Sequence, residues 1–560
     1  MSEITAQAAS LIDQPATTPM RTVVAASAAG TAFEWYDFFI FGSLQAIIAK
    51  TFFAQLDPIA GQIAALALFG VGFAFRPLGA LIFGRVGDIL GRKAAFLICV
   101  SMMGGATFAI GLLPSYQQVG PVAPLLLIAL RIAQGTALGG QYGGAAIYVA
   151  EHAPVDRRGY MTGWVQTSAA FGLVAALTVI FLTRRAVGEA AFSSPGWSGG
   201  WRIPFFVSAG LVAISIWMRS RLSESPAFQR MKAAGDSSRA PYAEAFGRWS
   251  NLKLVLVAFF ALMSAQGAYW YTVFFYSGVF MQTFLKVDAD FTNLMILSAA
   301  VLSAPLYVFF AWLSDKVGRK PVMWLGMTLG VVALFPGFML LSSAANPALV
   351  RASRATPVVV AADPADCTSQ FDLTGKAKVV TSCDIAKAAL ANAGVNYASV
   401  TAPAGQAAVV KVGGVAVPSL DARGLSGPAS KAAAEKATRA IAAALVKAGY
   451  PVKSDPAHRN VGLILAVLAV FTVAATALYG PMAAALTELF PARVRFTALS
   501  LPYHLGTGWI GGFQPVASFS IVVATGDIYA GLWYPAIFTA ISVVACLVFL
   551  PETRGRSLEH

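Results

Sequence analysis

Charge is the first thing this chain is short of. Only 12% of its 560 residues are Asp, Glu, Lys or Arg, about half the usual share in soluble proteins, which excludes an ordinary water-soluble enzyme. Four cysteines and four histidines are too few for a disulfide scaffold or a cluster of zinc sites. The chain carries no Walker A sequence, no G-x-S-x-G and no His/Cys run at metal-ligand spacing. Neither ATP hydrolysis nor covalent catalysis has a candidate site, and no metal or cofactor is expected. What the chain has instead is apolar surface: 57% hydrophobic residues, 38 phenylalanines and a mean hydropathy of +0.67. Such a chain needs lipid as its solvent.

Apolar stretches long enough to cross a bilayer fall near 23–48, 60–84, 94–113, 122–149, 160–183 and 203–219, then near 253–283, 291–313, 321–343, 460–489, 496–525 and 530–551. That makes twelve spans in two sets of six. The formal charge of +14 would suggest nucleic acid in a soluble protein, but its placement gives another reason. With the amino terminus inside, 20 of the 40 Lys and Arg fall in cytoplasmic segments, seven of them in 219–253, and only 5 in the short outer loops. The bias fixes both termini in the cytoplasm of an inner (plasma) membrane protein and removes the need for a nucleic-acid partner. Residues 1–20 are polar and show no cleavable signal peptide. The expected division is a tail at 1–22, a six-helix half at 23–220, a linker at 221–252, spans 7–9 at 253–344, an insert at 345–459, spans 10–12 at 460–551 and a tail at 552–560.

The insert holds 20 charged residues in 115 positions and no span-length apolar run, so it lies outside the bilayer, on the outer or periplasmic side. Val358–Ala362 and Ala407–Val417 read as valine-rich strands. Ile385–Ala393 and Ser430–Ala448 read as helices stopped by Gly394 and Gly449. A small α+β domain is expected, stapled by a Cys367–Cys383 disulfide in an oxidising compartment, while Cys99 and Cys546 are small buried residues of apolar helices. The insert is an accessory cap without a ligand, a substrate-capturing module or a docking surface for an extracytoplasmic partner.

A short motif occurs twice. After span 2 the chain reads Gly84-Arg-Val-Gly-Asp88-Ile-Leu-Gly91-Arg92-Lys93, and after span 8 it reads Asp315-Lys316-Val-Gly318-Arg319-Lys320. Glycine permits the tight turn, and an aspartate beside basic residues can pair with them or face a helix amino terminus. Matching positions in two six-helix halves point to internal repeats and to a cytoplasmic gate built from both copies. These loops resemble the signature of the major facilitator superfamily. Phe33-Glu34-Trp35-Tyr36-Asp37-Phe38, Phe75-Arg76-Pro77-Leu78-Gly79, Arg131-Ile-Ala-Gln134-Gly135, Arg221-Leu-Ser-Glu224-Ser-Pro226 and Ser500-Leu-Pro502-Tyr503 resemble the metabolite:proton symporters, and Pro551-Glu-Thr-Arg-Gly555 again matches the superfamily. The resemblance covers nearly all the chain except the insert. It implies an all-α membrane protein of twelve helices in two pseudo-symmetric halves, with no enzymatic activity, that imports a small organic acid or zwitterion together with a proton. Permeases of that group take α-ketoglutarate, citrate, shikimate and proline or betaine, so the shared motifs do not select the solute. A proton-driven exporter, or a membrane sensor using the insert as its ligand-binding module, are the competing readings.

A charge at the bilayer centre needs a partner, a cavity or a task. Glu34 and Asp37 stand three apart in span 1, on one face, and two carboxylates so close do not both ionise cheaply in an apolar setting. They are the candidate proton-coupling pair. Arg76 and Arg131, with Gln134, are the candidate counter-charges and substrate holders, since guanidinium stays protonated and pairs with carboxylates in a fork. A permanent ion-pair network pinning spans 1, 2 and 4 is the plainer alternative. Gln166, Gln266, Tyr269, Trp270, Tyr271, Tyr503, His504 and Gln514 are candidate cavity residues, against the competing roles of Tyr and Trp in packing and at membrane interfaces. Gly135, Gly139, Gly140, Gly143 and Gly144 read as small residues for close helix packing rather than as a phosphate loop, because no strand precedes them.

Overall fold

The computed structural model describes residues 19–53, 68, 70–221, 224–235, 238, 240–367, 380–425 and 427–558. Most of the expected amino-terminal tail, much of expected span 2 and Leu222-Ser223 of the linker motif lie outside the described residues. Among the described residues nine helices are long and apolar enough to cross a membrane: Arg92–Gly111, Val122–His152, Val155–Val187, Gly200–Ser220, Trp249–Phe284, Ala289–Val317, Arg319–Ala345, Val461–Leu489 and Ala530–Phe549. The three other expected spans are also helical. Span 1 is Met20–Ser43, the described part of span 2 is helical over 70–74 and Arg76–Ile89, and span 11 runs Arg495–His504 and Gly512–Thr525 around a π-helical segment, Leu505–Gly511.

Within the first half, span 1 packs on spans 5 and 6, and span 4 on spans 2 and 3. The halves meet where span 2 packs on span 11 and span 5 on span 8. The glycines of span 4 explain the close approach. A Cβ at Gly139 would lie 2.4 Å from Ala80 N, one at Gly135 would lie 2.3 Å from Gly72 O, and one at Gly79 across the seam would lie 1.9 Å from Thr136 O. The small-residue reading of that helix therefore holds.

The insert begins directly after span 9, with α1 (Pro347–Ala355) capped by Asn346, whose side chain accepts from Leu349 N. Then come β1 (Val358–Ala362), α2 (Ser382–Asn392), β2 (Tyr397–Thr401), β3 (Val409–Val412), β4 (Val415–Pro418) and α3 (Gly427–Lys447). The sheet order is β2-β1-β3-β4, with β1 parallel to β2 and antiparallel to β3, and β3 antiparallel to β4. The single strand expected over Ala407–Val417 is thus a hairpin. Gly413, at φ 57°, supplies the turn that a run of valines hides. Strand β2 escaped the reading because only Tyr397, Val400 and Thr401 in it favour a strand, and four of its five residues are solvent-exposed. The Cys367–Cys383 disulfide is present, and Cys99 and Cys546 are buried free thiols.

The insert rests on the second half. Tyr397 N donates to Gly526 O (2.8 Å), Ile528 N to Asn396 Oδ1 (2.9 Å) and Ser454 N to Lys286 O (3.0 Å). Arg459 pairs with Asp288 at 2.6 Å, and Asp288 caps span 8 by accepting from Phe291 N. The Phe291 N–H first, and then Arg459, hold the Asp288 carboxyl below its ordinary range. Its contribution is therefore present at neutral pH and lost as the pH falls through the acid range. Asp288→Ala is expected to cost about 1 kcal/mol, most of it the cap because a half-exposed pair is screened, read as a lower thermal midpoint whose deficit vanishes in acid.

Candidate functional site

Span 1 places two carboxylates inside the first half, and each finds a different environment. Glu34 pairs with Arg219 of span 6, Oε1 to Nη1 at 3.1 Å, both side chains buried. The guanidinium stacks on Phe96 at 3.5 Å from the ring centroid. Gly30 makes the room: a Cβ there would lie 2.1 Å from Arg219 Nη2. Asp37 accepts from Ser208 of span 6 (2.5 Å) and from Thr107 of span 3 (3.1 Å). The expected pairing of these carboxylates with Arg76 and Arg131 is therefore corrected. Arg219 escaped the sequence reading because it stands in the last turn of span 6, beside a run of basic linker residues among which it was counted.

Arg131 reaches Asp37 indirectly. Its Nη1 donates to Gln134 Oε1 (2.9 Å), Gln134 Nε2 donates to Thr107 Oγ1 (2.7 Å), and Thr107 Oγ1 can donate to Asp37 Oδ2 or to Met103 O (2.9 Å). One hydroxyl proton serves one acceptor at a time, so the charge state of Asp37 decides where Thr107 points, and the Gln134 amide bonded to Thr107 connects that choice to Arg131. The Arg131 guanidinium also lies over the Phe41 ring at 4.0 Å. Arg76 lies over Phe73 at 4.3 Å, with the Tyr271 side chain and His504 as neighbours.

Between the halves lies a cavity lined from both. The first half contributes Thr31, Glu34, Trp35, Phe38, Arg76, Leu138 and Gln141, and the second half Gln266, Trp270, Tyr271, Tyr479, Tyr503, His504 and Thr507. Of the eight expected cavity residues, Gln266, Trp270, Tyr271, Tyr503 and His504 are in the wall. Gln166 instead donates to Tyr479 O (3.4 Å), Gln514 to Ser518 Oγ (3.0 Å), and Tyr269 is buried against Gly330. The second-half wall is held by Trp270 Nε1 on the Tyr307 hydroxyl (2.7 Å) and by the Tyr479 and Tyr503 hydroxyls at 2.6 Å from each other. Gln266 Oε1 is buried with no hydrogen-bond partner among the described residues, so an amide acceptor faces the space. π-helical turns lie on both sides of these residues, at Phe259–Met263, Thr272–Tyr276 and Leu505–Gly511. Such turns are frequent at functional sites because they leave carbonyls loosely paired.

The repeated motif closes the end of the bundle opposite the insert, and the structure shows how far the repetition extends. Asp88 pairs with Arg92 (2.7 Å) and accepts from Phe496 N (3.2 Å) and Thr497 N (2.9 Å), at the start of span 11 in the other half. Asp315 pairs with Arg319 (2.6 Å) and accepts from Gly159 N (2.9 Å) and Tyr160 N (2.7 Å), in the first turn of span 5 in the other half. Glu151 pairs with Arg495 at 2.6 Å, as Glu488 does with Arg158 at 2.8 Å. Glu224 accepts from Lys93 N (3.2 Å), as Glu552 does from Lys320 N (3.1 Å), at turns made by Gly91 and Gly318 at φ 115° and 109°. Lys93 Nζ caps Ser220 O and Lys320 Nζ caps Leu547 O. Gly84 lets Thr497 approach: a Cβ would lie 2.9 Å from its Cα. All nine expected gate residues thus meet here. Glu151, Glu488, Arg158 and Arg495 join the same contacts and were not among the expected residues, although their charges at helix ends in matching places of the two halves were a readable signal.

Three comparisons bear on this architecture. The family model described as "Sugar (and other) transporter" matches residues 22–246 and 437–560. The chain is 37% identical over 332 residues to a shikimate transporter of Escherichia coli K12, covering 58% of this chain and 73% of that protein. It is 35% identical over 335 residues to a proline/betaine transporter of the same strain, and there the match spans 65% of the relative's length. Among solved structures, a proton:xylose symporter bound to 6-bromo-6-deoxy-D-glucose superposes with a TM-score of 0.63 at 16% identity, over 96% of this chain and 98% of that one, a likeness of fold.

Proposed function

The chain belongs to the sugar (and other) transporter family of the major facilitator superfamily, and from that membership we propose that it is a proton-coupled symporter importing a small organic acid or zwitterionic metabolite by alternating access. The observation that carries the coupling is the chain of contacts Arg131–Gln134–Thr107–Asp37. It ends on a buried carboxylate one turn from Glu34 in the cavity wall. With Asp37 charged, Thr107 turns its proton toward it and Gln134 is held between Thr107 and Arg131. With Asp37 protonated, that demand lapses and the Arg131 side of the network is freed to rearrange. Arg76, Tyr271 and His504 offer donors, and Gln266 an acceptor, to a solute bearing a carboxylate and further polar groups. The shikimate and proline/betaine transporters among the relatives support a solute of that size and polarity.

In this reading the motif end faces the cytoplasm, both termini lie there, and the structure has that end closed. The insert at 345–459 is extracytoplasmic, and the remaining division of the chain is 1–22, 23–220, 221–252, 253–344, 460–551 and 552–560. The test is uptake of labelled α-ketoglutarate, citrate, shikimate and proline betaine in proteoliposomes, with and without an imposed inward proton gradient. One solute is expected to accumulate with the gradient, and Asp37→Asn to abolish that accumulation. Accumulation that survives Asp37→Asn would remove Asp37 from the coupling path.

The insert is read as an accessory cap. Its two ends meet: Ser454 Oγ donates to Ala345 O (2.5 Å) and Asn460 N to Ala344 O (2.9 Å). A short Gly/Ser bridge can therefore replace 348–453 at little closure cost. Uptake by that variant is expected to stay within about twofold of the full chain, since replacing a surface insertion with ends in contact disturbs little else. Uptake lost by a variant that still reaches the membrane and is monodisperse would make the insert part of the transport path.

A further inference from the structure

Behind the central cavity lies a second, smaller space bounded by spans 1, 3, 4 and 6. Its apolar walls are Val100, Met103 and Val212, and its polar walls are Glu34, Asp37, Gln141 and Ser215. Glu34 and Gln141 line the central cavity as well, so these two side chains form the partition between the spaces. Gln141 and Ser215 are each 1% exposed, and neither the Gln141 amide atoms nor the Ser215 hydroxyl has a hydrogen-bond partner among the described residues. The same holds for Nε and Nη2 of Arg219 beside them.

Buried polar groups left without protein partners are ordinarily satisfied by bound water. Here such groups from spans 4 and 6 meet at a space that both carboxylates line, with room for about one water molecule. The charges add a second argument. Two ionised carboxylates and one guanidinium leave a single negative charge in an apolar surrounding, which one proton neutralises.

We propose that this chamber binds a water bridging Glu34 and Asp37, so that the proton travels from the central cavity to Glu34 and through that water to Asp37, with Arg219 as the counter-ion of Glu34. The proposal deepens the symport reading and rests on it. The proton first binds the Glu34 carboxylate and loosens Arg219. The Glu34 hydroxyl then donates to the water while the water donates onward to Asp37, and the Glu34 carboxylate re-forms its pair with Arg219. No group is oxidised or reduced. Arg219 is a positioning residue. The other titratable or charged groups facing the pair are Tyr36 of span 1, Cys99 of span 3, Arg131 through Gln134 and Thr107, and Arg76, Tyr271, Tyr479, Tyr503 and His504 around the central cavity.

The test needs no solute. With the full chain in lipid nanodiscs, infrared absorption follows the carboxyl groups after a rapid drop in pH, the bands being assigned with Asp37→Asn and Glu34→Gln. Gln141→Leu keeps the side chain close to its size, Ser215→Val puts a bulkier apolar group into the space of the water, and each removes a partner of the water. Each is expected to slow protonation of Asp37 by about a hundredfold, the scale of a lost proton-transfer partner, with the Glu34 band retained. Arg219→Gln is expected to change the pH dependence of the Glu34 band, and Arg219→Lys to restore it. An Asp37 rate unchanged in both Ser215→Val and Gln141→Leu overturns the proposal. So does an Asp37 band that responds to sodium chloride but not to choline chloride, which would place a sodium ion in the chamber. Should Gln141→Leu fail to fold, Ser215→Val decides alone. Failure of the symport reading has its own signature, uptake by the wild type that ignores the proton gradient.

Discussion

Arg219→Met is expected to cost the folded protein about 3–5 kcal/mol, and adding Glu34→Gln to restore most of it. The single change removes the only ion-pair partner given to Glu34 among the described residues. It leaves a carboxylate, 7% exposed, between helices. The methionine is close in length to the aliphatic stem of arginine and keeps the contact with Phe96, so packing loss contributes little. Glu34→Gln alone is the mirror experiment, leaving the guanidinium on Phe96 with an amide oxygen in place of its counter-charge. The double variant has no buried charge at either position and keeps the shape. The cycle is read from the denaturant or temperature midpoint of purified protein, and the expected signature is a coupling energy comparable with the single losses. If Arg219→Met is as stable as the wild type, the pair is not a buried charge pair, and the proton relay loses its counter-ion.

That pair also shows where sequence reading stops. The two carboxylates of span 1 were legible as charges in an apolar run, and so was their shared face. Their partners were not, because helix contacts come from packing, and a charge in the last turn of a span reads the same as one in the adjoining loop. Spacing along one helix carries little information about which of five other helices faces it. The same limit explains Gln166, Tyr269 and Gln514. Gln166 and Tyr269 turn to neighbouring helices and Gln514 to Ser518 on its own, while Gln141, hidden in a glycine-rich stretch, belongs to two cavity walls at once. Twelve spans, the insert, its disulfide and the doubled motif were legible because each rests on composition, periodicity or repetition, properties a single sequence carries in full. The hairpin at Gly413 was not, since valine on both sides conceals a turn made by backbone conformation.

The doubled motif carries the other large effect. Asp88→Asn combined with Asp315→Asn is expected to open the motif end of the bundle, raising the labelling rate of a cysteine placed at Ala492 by more than about tenfold. The remaining thiols give a low background, because Cys99 and Cys546 are buried and Cys367 and Cys383 are joined. Each aspartate does two tasks at once. It neutralises an arginine of its own half, Arg92 or Arg319, and it accepts two backbone N–H groups at the start of a helix in the other half. An anion at a helix amino terminus contributes about 0.3–1 kcal/mol, rising toward 2 where partly buried, and charge-assisted hydrogen bonds add to it. Asparagine keeps the shape and one acceptor but loses the charge. The start of span 11 or span 5 then loses its anion, and Arg92 or Arg319 keeps, among the described residues, only the carboxylate of Glu151 (3.9 Å) or Glu488 (3.3 Å) as counter-charge. Two such sites loosen the contact between halves by a few kcal/mol, enough to move a closed state that holds nearly all molecules to one that holds a minority. The single variants are expected to show smaller and similar increases, since the two sites are related by the pseudo-symmetry and both aspartates act on the same opening. Glu151→Gln, which leaves both aspartates in place but strips Arg495 of its partner, is expected to fall between the single and double aspartate variants. Equal labelling in the wild type and the double variant would mean that packing of span 2 on span 11 and of span 5 on span 8 holds the end shut without the charges.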